Sequence, residues 1–166
     1  MSTLTIRREE AADRGQIASL IAKTYLADGV NIIEVTSALR DEAGENSLGI
    51  VGAVDGKAVI YALFTPTQVA DSKTDAVLLT PFAFDVSYAE SGLEGFMDQA
   101  LEVVAGEGYT HVLALGNIVD MQADGYMLAE SLNINLDKDA GASLLVKPLK
   151  ETTSLSGTVH LPSCVL

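Results

Sequence analysis

The chain lacks positive charge over a long central stretch. Residues 74–137 contain no Lys or Arg but carry eleven Asp or Glu, and the 166 residues together have a formal net charge of −13. All ten basic residues lie within 7–73 and 138–150. Nucleic acids and anionic membrane surfaces attract proteins through clustered Lys and Arg, so we expect neither as a partner. A neutral or cationic ligand is easier to accommodate.

Cysteine and long apolar runs are equally scarce. The single cysteine, Cys164, cannot form a disulfide within the chain. No apolar run approaches the roughly 20 residues that a membrane-spanning helix needs, and no apolar signal follows Met1. We therefore expect a cytoplasmic protein. The length and the 48% hydrophobic content are typical of one globular domain over residues 1–166, with residues 151–166 as an extended tail packed on it.

The apolar periodicity predicts an α/β chain in which two helices precede most of the sheet. Asp55-Gly56 predicts a hairpin turn, and Gly44 is expected to cap a helix in the left-handed conformation. In order, the predicted elements are a strand at 4–8, a helix carrying Ile17, Leu20, Ile21 and Tyr25, a helix carrying Ile32, Ile33, Val35 and Leu39 that ends near Ala43 or Gly44, strands at 48–54, 58–69 and 76–86, a helix from Leu93 to Gly106 or Gly108, a strand at 109–115, a helix at 120–132, and closing strands at 134–136 and 143–146.

Five short stretches occur in an order shared with one enzyme superfamily. They are residues 37–40, residues 56–66, residues 81–85 followed by Gly92, residues 113–117, and residues 157–159 followed by Pro162. Each recurs by chance when taken alone, and their order over nearly the whole chain carries the resemblance. On this basis the chain resembles the GNAT superfamily of N-acetyltransferases, in particular its small bacterial members. The resemblance implies a mixed, mostly antiparallel sheet with a central parallel strand pair splayed into a V and helices on both faces.

The resemblance also implies a cofactor and a reaction. Acetyl-CoA would lie in the V between the strands at 76–86 and 109–115, and its acetyl group would pass to an amine of a small molecule or a protein. Backbone amides at a helix N-terminus suit a pyrophosphate because they are unsatisfied and lie at the positive end of the helix dipole. The residues implied to bind the cofactor are Phe84, Asp85 and Val86 for the pantetheine, Gly92, Leu93, Glu94 and Gly95 for the pyrophosphate, and Asn117.

The pyrophosphate loop departs from the family pattern Gln/Arg-x-x-Gly-x-Gly/Ala. Ala89 stands at the first position and Glu94 at the second small position, while Gly92 keeps its place. A carboxylate about 4–6 Å from a phosphate costs several kcal/mol per charge pair before screening, at an effective dielectric near 20. Alternatively, Glu90 and Glu94 stabilise a helix N-terminus by roughly 0.3–1 kcal/mol each and need no ligand. The second function class is therefore a degenerate GNAT-fold binding or regulatory module that does not use CoA.

The catalytic residues are less clearly indicated. The family often carries Tyr residues after the second strand of the V, where this chain has Asp120 and Met121. Asp120 is a candidate for contacting the amine, and Tyr126 is a second candidate that is more typical of a packing residue than of an acid. Asp85 suits either an amine contact or a strand-end turn.

Histidine and cysteine give no sign of a metal or thiol mechanism. We interpret His111 as a hydrogen-bonded strand residue rather than a base. His160 has no partner at metal-ligand spacing, and Cys164 lacks a nearby His or Asp pattern. No metal is expected, and a homodimer is kept open as the assembly.

Overall fold

The fold is that of a computed structural model, which describes residues 4–69, 76–88, 93–137, 142–149, 155–161 and 165, with the backbone alone at 93, 94 and 120. The strands are β1 (Leu4–Arg8), β2 (Leu48–Val54), β3 (Lys57–Thr67), β4 (Ala76–Phe84), β5 (His111–Gly116), β6 (Met127–Leu128), β7 (Ile134–Leu136), β8 (Ser143–Pro148) and β9 (Gly157–Val159). The helices are α1 (Arg14–Tyr25), α2 (Gly29–Ala43), α3 (Leu93–Gly106) and α4 (Ile118–Met121).

Seven strands form one mixed sheet in the order β1-β2-β3-β4-β5-β8-β6. Among the strands that the structure describes in this sheet, β4 and β5 are parallel neighbours, and the other neighbouring pairs are antiparallel. The β2–β3 hairpin turns at Asp55 and Gly56, which both have positive φ, as the Asp-Gly dipeptide predicted. The predicted fold class, a mostly antiparallel sheet with a central parallel pair, is confirmed.

The parallel pair separates soon after it forms. Its ladder runs from Ala76 opposite His111 to Leu78 opposite Leu113. Beyond that point β4 stays paired with β3 as far as Phe84, while β5 stays paired with β8 as far as Gly116. One extra residue of β4 between Leu79 and Phe82 makes a bulge, which bends and twists a strand. A V therefore opens between β4 and β5 at their carboxyl ends.

Helices cover both faces of the sheet. On one face, α3 buries Phe96, Ala100 and Val104 against strand residues that include Ile50 and Phe64. The apolar spacing of residues 93–104 predicted this face. Burying a Phe or Leu side chain completely contributes about 1.5–3 kcal/mol, so the helix–sheet contact is a main part of the core.

The opposite face is covered by the first two helices. α1 buries Ile17 and Leu20, and α2 buries Leu39, against a cluster that includes Val51 and Tyr61. Gly44 ends α2 with φ +57° and ψ −127°. Its φ is positive as expected, but its ψ lies outside the left-handed helical region, which corrects the predicted cap.

The prediction of a helix over residues 120–132 is wrong. α4 ends at Met121, and a 3-10 turn (Gln122–Asp124), the short strand β6 and a second 3-10 turn (Ala129–Leu132) follow. Gly125 adopts φ +92°, which no helix continues through. The helical pattern failed because Tyr126 and Ala129 are buried on an irregular segment that pairs with β8.

The strand predicted at 134–136 exists, but it does not extend the main sheet. β7 pairs in parallel with β9, and Val69 forms an isolated bridge to Val159. The two short strands cover a separate apolar cluster that contains Ile134, Leu144 and Val159. Residues 155–161 thus pack in extended form, whereas residues 151–154, 162–164 and 166 of the expected tail lie outside the described residues.

Candidate functional site

The open edge of β4 is the central feature of the V. The Asp85 amide donates to the Val59 carbonyl of β3 at 2.8 Å. Backbone groups of a strand alternate in direction, so those of Phe82 and Phe84 face away from β3 and into the V. The expectation that the Asp85 amide holds a ligand there is therefore wrong, because this amide is turned away and already bonded.

The end of α1 meets this open edge with two hydroxyl groups. The Tyr25 hydroxyl donates to the Phe82 carbonyl at 3.0 Å and accepts from the Phe82 amide at 3.4 Å. The Thr24 hydroxyl lies 2.9 Å from the Leu20 carbonyl and 3.4 Å from that of Phe84. Burial raises the pKa of Tyr25, so its phenol stays neutral and keeps its proton at neutral pH. Sequence reasoning missed these contacts.

Two lysines surround the carboxylate of Asp85 at the end of β4. The carboxylate accepts from the Ser87 amide at 3.0 Å, and the Nζ atoms of Lys23 and Lys57 lie 3.8 and 4.0 Å away. The Ser87 hydrogen bond is the largest cause of the lowered pKa of Asp85. The turn-forming interpretation of Asp85 is thus the one observed. Both lysines come from outside the acidic stretch, so the sequence alone overstated the negative charge at this end of the sheet.

A cavity of about 270 Å³ opens beside this group. Its lining residues, from α1, β3 and the end of β4, are Gln16, Ser19, Leu20, Lys23, Lys57, Ala58 and Asp85. It lies on the α1 side of the sheet.

The end of β5 is shaped by its own turn. The Asn117 side chain accepts from the Val119 amide at 2.8 Å and caps α4. A Cβ atom on Gly116 would lie 2.9 Å from the sulfur of Met121, so glycine lets that side chain lie against the strand end. Asn117 thus has a local structural role, and its contact with a cofactor stays a prediction.

The structure describes the side chain of one catalytic candidate, Tyr126, and only the backbone of the other, Asp120. Tyr126 is 6% exposed and packs in the cluster on the α3 face. Its hydroxyl has no hydrogen-bond partner among the described residues, and burial raises its pKa to about 12. Lys147 places its Nζ 5.8 Å from the ring centre. For Asp120 only the backbone, within α4, is described.

Solved structures share this architecture. A GNAT family N-acetyltransferase (YhbS) from Escherichia coli in complex with CoA is 23% identical, with a TM-score of 0.87 over 99% of this chain and 92% of that one. The chain has the GNAT acetyltransferase fold. A GNAT family acetyltransferase from Brucella melitensis in complex with acetyl-CoA is 17% identical over 97% of both chains, with a TM-score of 0.73.

More distant GNAT structures match as well. The ribosomal-protein-S18-alanine N-acetyltransferase from Escherichia coli is 12% identical, with a TM-score of 0.63 over 92% of this chain and all of its own length. No protein-family model and no curated protein matches the sequence. The similarity of this chain to known proteins therefore rests on the fold.

The pyrophosphate loop of this GNAT fold is described only in part. Ala89, Glu90 and Gly92 lie outside the described residues, and α3 begins at Leu93. A Cβ atom on Gly95 would meet no described atom within 4 Å, so the space that a side chain would take at this position is open. The cofactor contacts of residues 92–95 stay predictions.

Both histidines lie within hydrogen-bond distance of a neighbour, and for His111 this agrees with the predicted role of a hydrogen-bonded strand residue. His111 is 1% exposed, and its Nδ1 lies 2.8 Å from the Thr110 hydroxyl oxygen. His160 places its Nδ1 2.8 Å from an oxygen of Asp137 at the surface. Over the described ranges, no three His, Cys, Asp or Glu residues are grouped as metal ligands. In that same part of the chain, no helix is long and apolar enough to cross a membrane.

Proposed function

We propose that this protein is an acetyl-CoA-dependent N-acetyltransferase acting on an amine of a small molecule or a protein. The observation that carries the proposal is the open β4 edge, where the backbone groups of Phe82 and Phe84 face a V without a strand partner. GNAT neighbours with CoA or acetyl-CoA bound support the cofactor. Neighbours named for ribosomal protein S18 alanine and for an aminoglycoside support amine acceptors of both kinds.

The residues on the V suit the acyl and pantetheine end of this cofactor. When bound, acetyl-CoA supplies an acetyl group activated as a thioester. The outward amide of Phe84 would hold the pantetheine as a strand partner would, and the amide of Val86, in the 3-10 turn that follows β4, would be a second contact. The amides at the start of α3, with open space at Gly95, would meet the pyrophosphate through the positive end of the helix dipole.

The charges around the V are mixed rather than uniformly negative. Lys23 and Lys57 offset Asp85 at the end of β4. In the sequence, Glu90 precedes α3 by three residues and Glu94 is its second residue, so both carboxylates would oppose a phosphate bound there. This second observation favours the alternative, a GNAT-fold binding or regulatory module without CoA.

Calorimetric titration at low salt separates the two functions. Acetyl-CoA and desulfo-CoA should both bind with micromolar affinity if the chain is an acetyltransferase, because the backbone amides then outweigh the acidic loop. Measurable thiol release in the presence of an amine panel should accompany binding. Absence of binding up to millimolar ligand would rule out the acetyltransferase and favour the binding or regulatory module that does not use CoA.

The acidic loop gives a direct electrostatic prediction. Glu94→Gln should tighten CoA binding by about tenfold, since removing a charge repulsion of about 1.4 kcal/mol corresponds to that factor. Ala89→Gln should add a further donor for the phosphates. Glu102→Gln on the same helix is the matched control and should leave the affinity within about twofold, because screening over a Debye length of about 8 Å weakens a more distant charge.

Titration calorimetry of these variants gives the test. Equal affinities for the parent protein and Glu94→Gln would show that the loop does not determine cofactor binding. An equal gain in Glu94→Gln and Glu102→Gln would instead point to the overall negative charge of the molecule.

A further inference from the structure

The cavity beside Asp85 is separate from the V. It has a volume of about 270 Å³ and lies between α1, the start of β3 and the carboxyl end of β4. Of the described residues that line it, none belongs to β5, the second strand of the V. The volume is just below the roughly 300–1,000 Å³ of typical small-molecule sites, so a ligand of few atoms would fit. The proposed function makes no use of this cavity.

Hydrogen-bond donors predominate among the polar side chains of the lining. Lys23 and Lys57 each carry an ammonium group. The Gln16 side chain accepts from the Ala58 amide at 2.8 Å, which leaves its NH₂ group to donate. The Ser19 hydroxyl makes only a long contact, 3.3 Å, with a carbonyl of its own helix. A ligand that accepts hydrogen bonds therefore suits the cavity better than one that donates them.

The charges of the lining leave one positive charge unbalanced. The Nζ atoms of Lys23 and Lys57 lie 3.8 and 4.0 Å from the same oxygen of Asp85, whose other oxygen accepts from the Ser87 amide. Both Nζ distances exceed the roughly 2.7–3.2 Å of an N–H···O hydrogen bond, so both ammonium groups keep donors for another acceptor. Two ammonium groups against one carboxylate make the lining positive in a chain whose net charge is −13. A ligand with a single negative charge would complete the balance.

We propose that this cavity binds a small monocarboxylate with a short hydrocarbon chain. Its carboxylate would accept charge-assisted hydrogen bonds from Lys23 and Lys57 and a further one from the Gln16 amide. Leu20 and Ala58 are 3% and 5% exposed and are the apolar side chains of the lining, so the hydrocarbon chain would pack against them. The site binds its ligand independently of CoA.

Ligands of other charge fit less well. A cation would meet two ammonium groups, and Asp85, the one carboxylate among the described lining residues, is already shared between them. Inorganic phosphate carries more than one negative charge at neutral pH, so Asp85 would repel it more strongly, and it has no apolar part to cover Leu20. The combination of one carboxylate with a hydrocarbon chain matches both the charge and the apolar part of the lining.

An NMR titration of the parent protein without CoA tests the site. Butyrate and butylammonium, which are similar in size and opposite in charge, are added at constant ionic strength, and the reporter is the Ala58 amide that bonds to Gln16. Butyrate should shift this amide resonance to saturation. Butylammonium should not, although the net charge of −13 favours a cation overall. Inorganic phosphate should bind more weakly than butyrate.

The opposite outcomes of this titration are equally clear. Saturation by butylammonium, or no saturation by butyrate well above millimolar concentration, would overturn the proposal. Tighter binding of phosphate than of butyrate would overturn the assignment to a carboxylate. Because no CoA is present, each of these results leaves the proposed function as it stands.

Lysine variants show whether butyrate reads this cavity or the charge of the whole molecule. Lys23→Gln and Lys57→Gln should each weaken butyrate binding by about tenfold, since a hydrogen bond to a charged group contributes at least about that factor. Lys147→Gln is the matched control, because it removes the same charge from β8, outside the lining. Its affinity should stay within about twofold of the parent. Equal weakening in all three variants would contradict the proposal.

Asp85→Asn gives a test of opposite sign. The asparagine oxygen can still accept from the Ser87 amide, while the negative charge beside the two lysines is removed. Butyrate binding should become severalfold tighter, because the ammonium groups no longer share a carboxylate. Loss of butyrate binding in this variant would overturn the proposal.

Discussion

Asp13 shows how one charged residue joins two elements. Its two carboxylate oxygens accept from the Nη1 and Nη2 atoms of Arg7, both at 2.7 Å, and one also accepts from the Glu10 amide at 2.7 Å. The contact ties the end of β1 to the start of α1. Because the Arg7 hydrogen bond favours the ionised form, it lowers the pKa of Asp13 from 3.8 to about 2.

The lowered pKa predicts how stability depends on acid. The folded value lies below the unfolded value, so the contribution of Asp13 is present above pH 3.8 and is lost as the pH falls toward about 2. Asp13→Asn should destabilise the protein at neutral pH, and the difference from the parent should shrink across this range. Urea unfolding at several pH values measures it.

An exposed acid is the control for this pH series. Asp41→Asn removes an exposed carboxylate on α2 and should change the free energy of unfolding at neutral pH by less than about 0.5 kcal/mol. A difference between the parent and Asp13→Asn that stays constant down to about pH 2 would mean that the ion pair with Arg7 does not contribute to it.

At the scale of elements, α1 and α2 pack through a glycine. A Cβ atom on Gly29, the first residue of α2, would lie 3.0 Å from the Cα atom of Ala22 in α1. Backbone cannot give way as a flexible side chain does. The close approach matters for the site because the same end of α1 carries Thr24 and Tyr25.

Two glycine substitutions separate this contact from helix propensity. Gly29→Ala should destabilise the protein by about 1 kcal/mol, since overpacking against backbone outweighs the gain in propensity. Gly15→Ala in α1, where a Cβ would meet nothing within 4 Å, should stabilise it by about 0.5–1 kcal/mol. Urea unfolding of the two variants and the parent measures these differences in the free energy of unfolding. Stabilisation by both substitutions would show that the two helices separate without cost.

The elements also show what the sequence could predict. The spacing of Phe96, Ala100 and Val104 was sufficient for α3, because one face of a regular helix meets the sheet. The segment after β5 was mispredicted because Gly125 takes a left-handed conformation and β6 pairs with a strand that follows it. Likewise β7 pairs with β9 across more than twenty residues, a contact that local periodicity does not contain.

The sequence predicted the candidate site only in part. The resemblance placed the V between the correct strands. It could not reveal that Tyr25 reaches Phe82, since 57 residues separate them and the periodicity assigned Tyr25 to the apolar face of its helix. The only signal available was that a tyrosine ended this apolar series.

At the scale of the whole molecule, the four arginines have a common location. Arg7 and Arg8 end β1, Arg14 begins α1, and Arg40 lies near the end of α2, where it contacts Glu9 and the hydroxyl of Tyr61. Arg8 pairs with Glu107 after α3. The arginines are thus grouped near the β1 edge of the sheet, Lys23 and Lys57 lie at the end of β4, and the whole sequence still carries an excess of carboxylates, with a net charge of −13.

Such an excess predicts that salt stabilises the fold. Self-repulsion among the carboxylates should be screened as the Debye length falls from about 30 Å at 0.01 M to about 8 Å at 0.15 M. The Tm should therefore rise between these ionic strengths. Thermal unfolding in potassium chloride and in choline chloride measures it, and a rise in only one of the two salts would indicate cation binding instead of screening.

The divergence of β4 from β5 leaves a signature in amide hydrogen exchange. Asp85, and by alternation Ala83, direct their amides to β3 and should exchange slowly. Phe84 directs its amide into the V and should exchange quickly although it lies in the same strand. One strand thus contains neighbouring amides with opposite protection, and a bound ligand that pairs with its edge should make them alike.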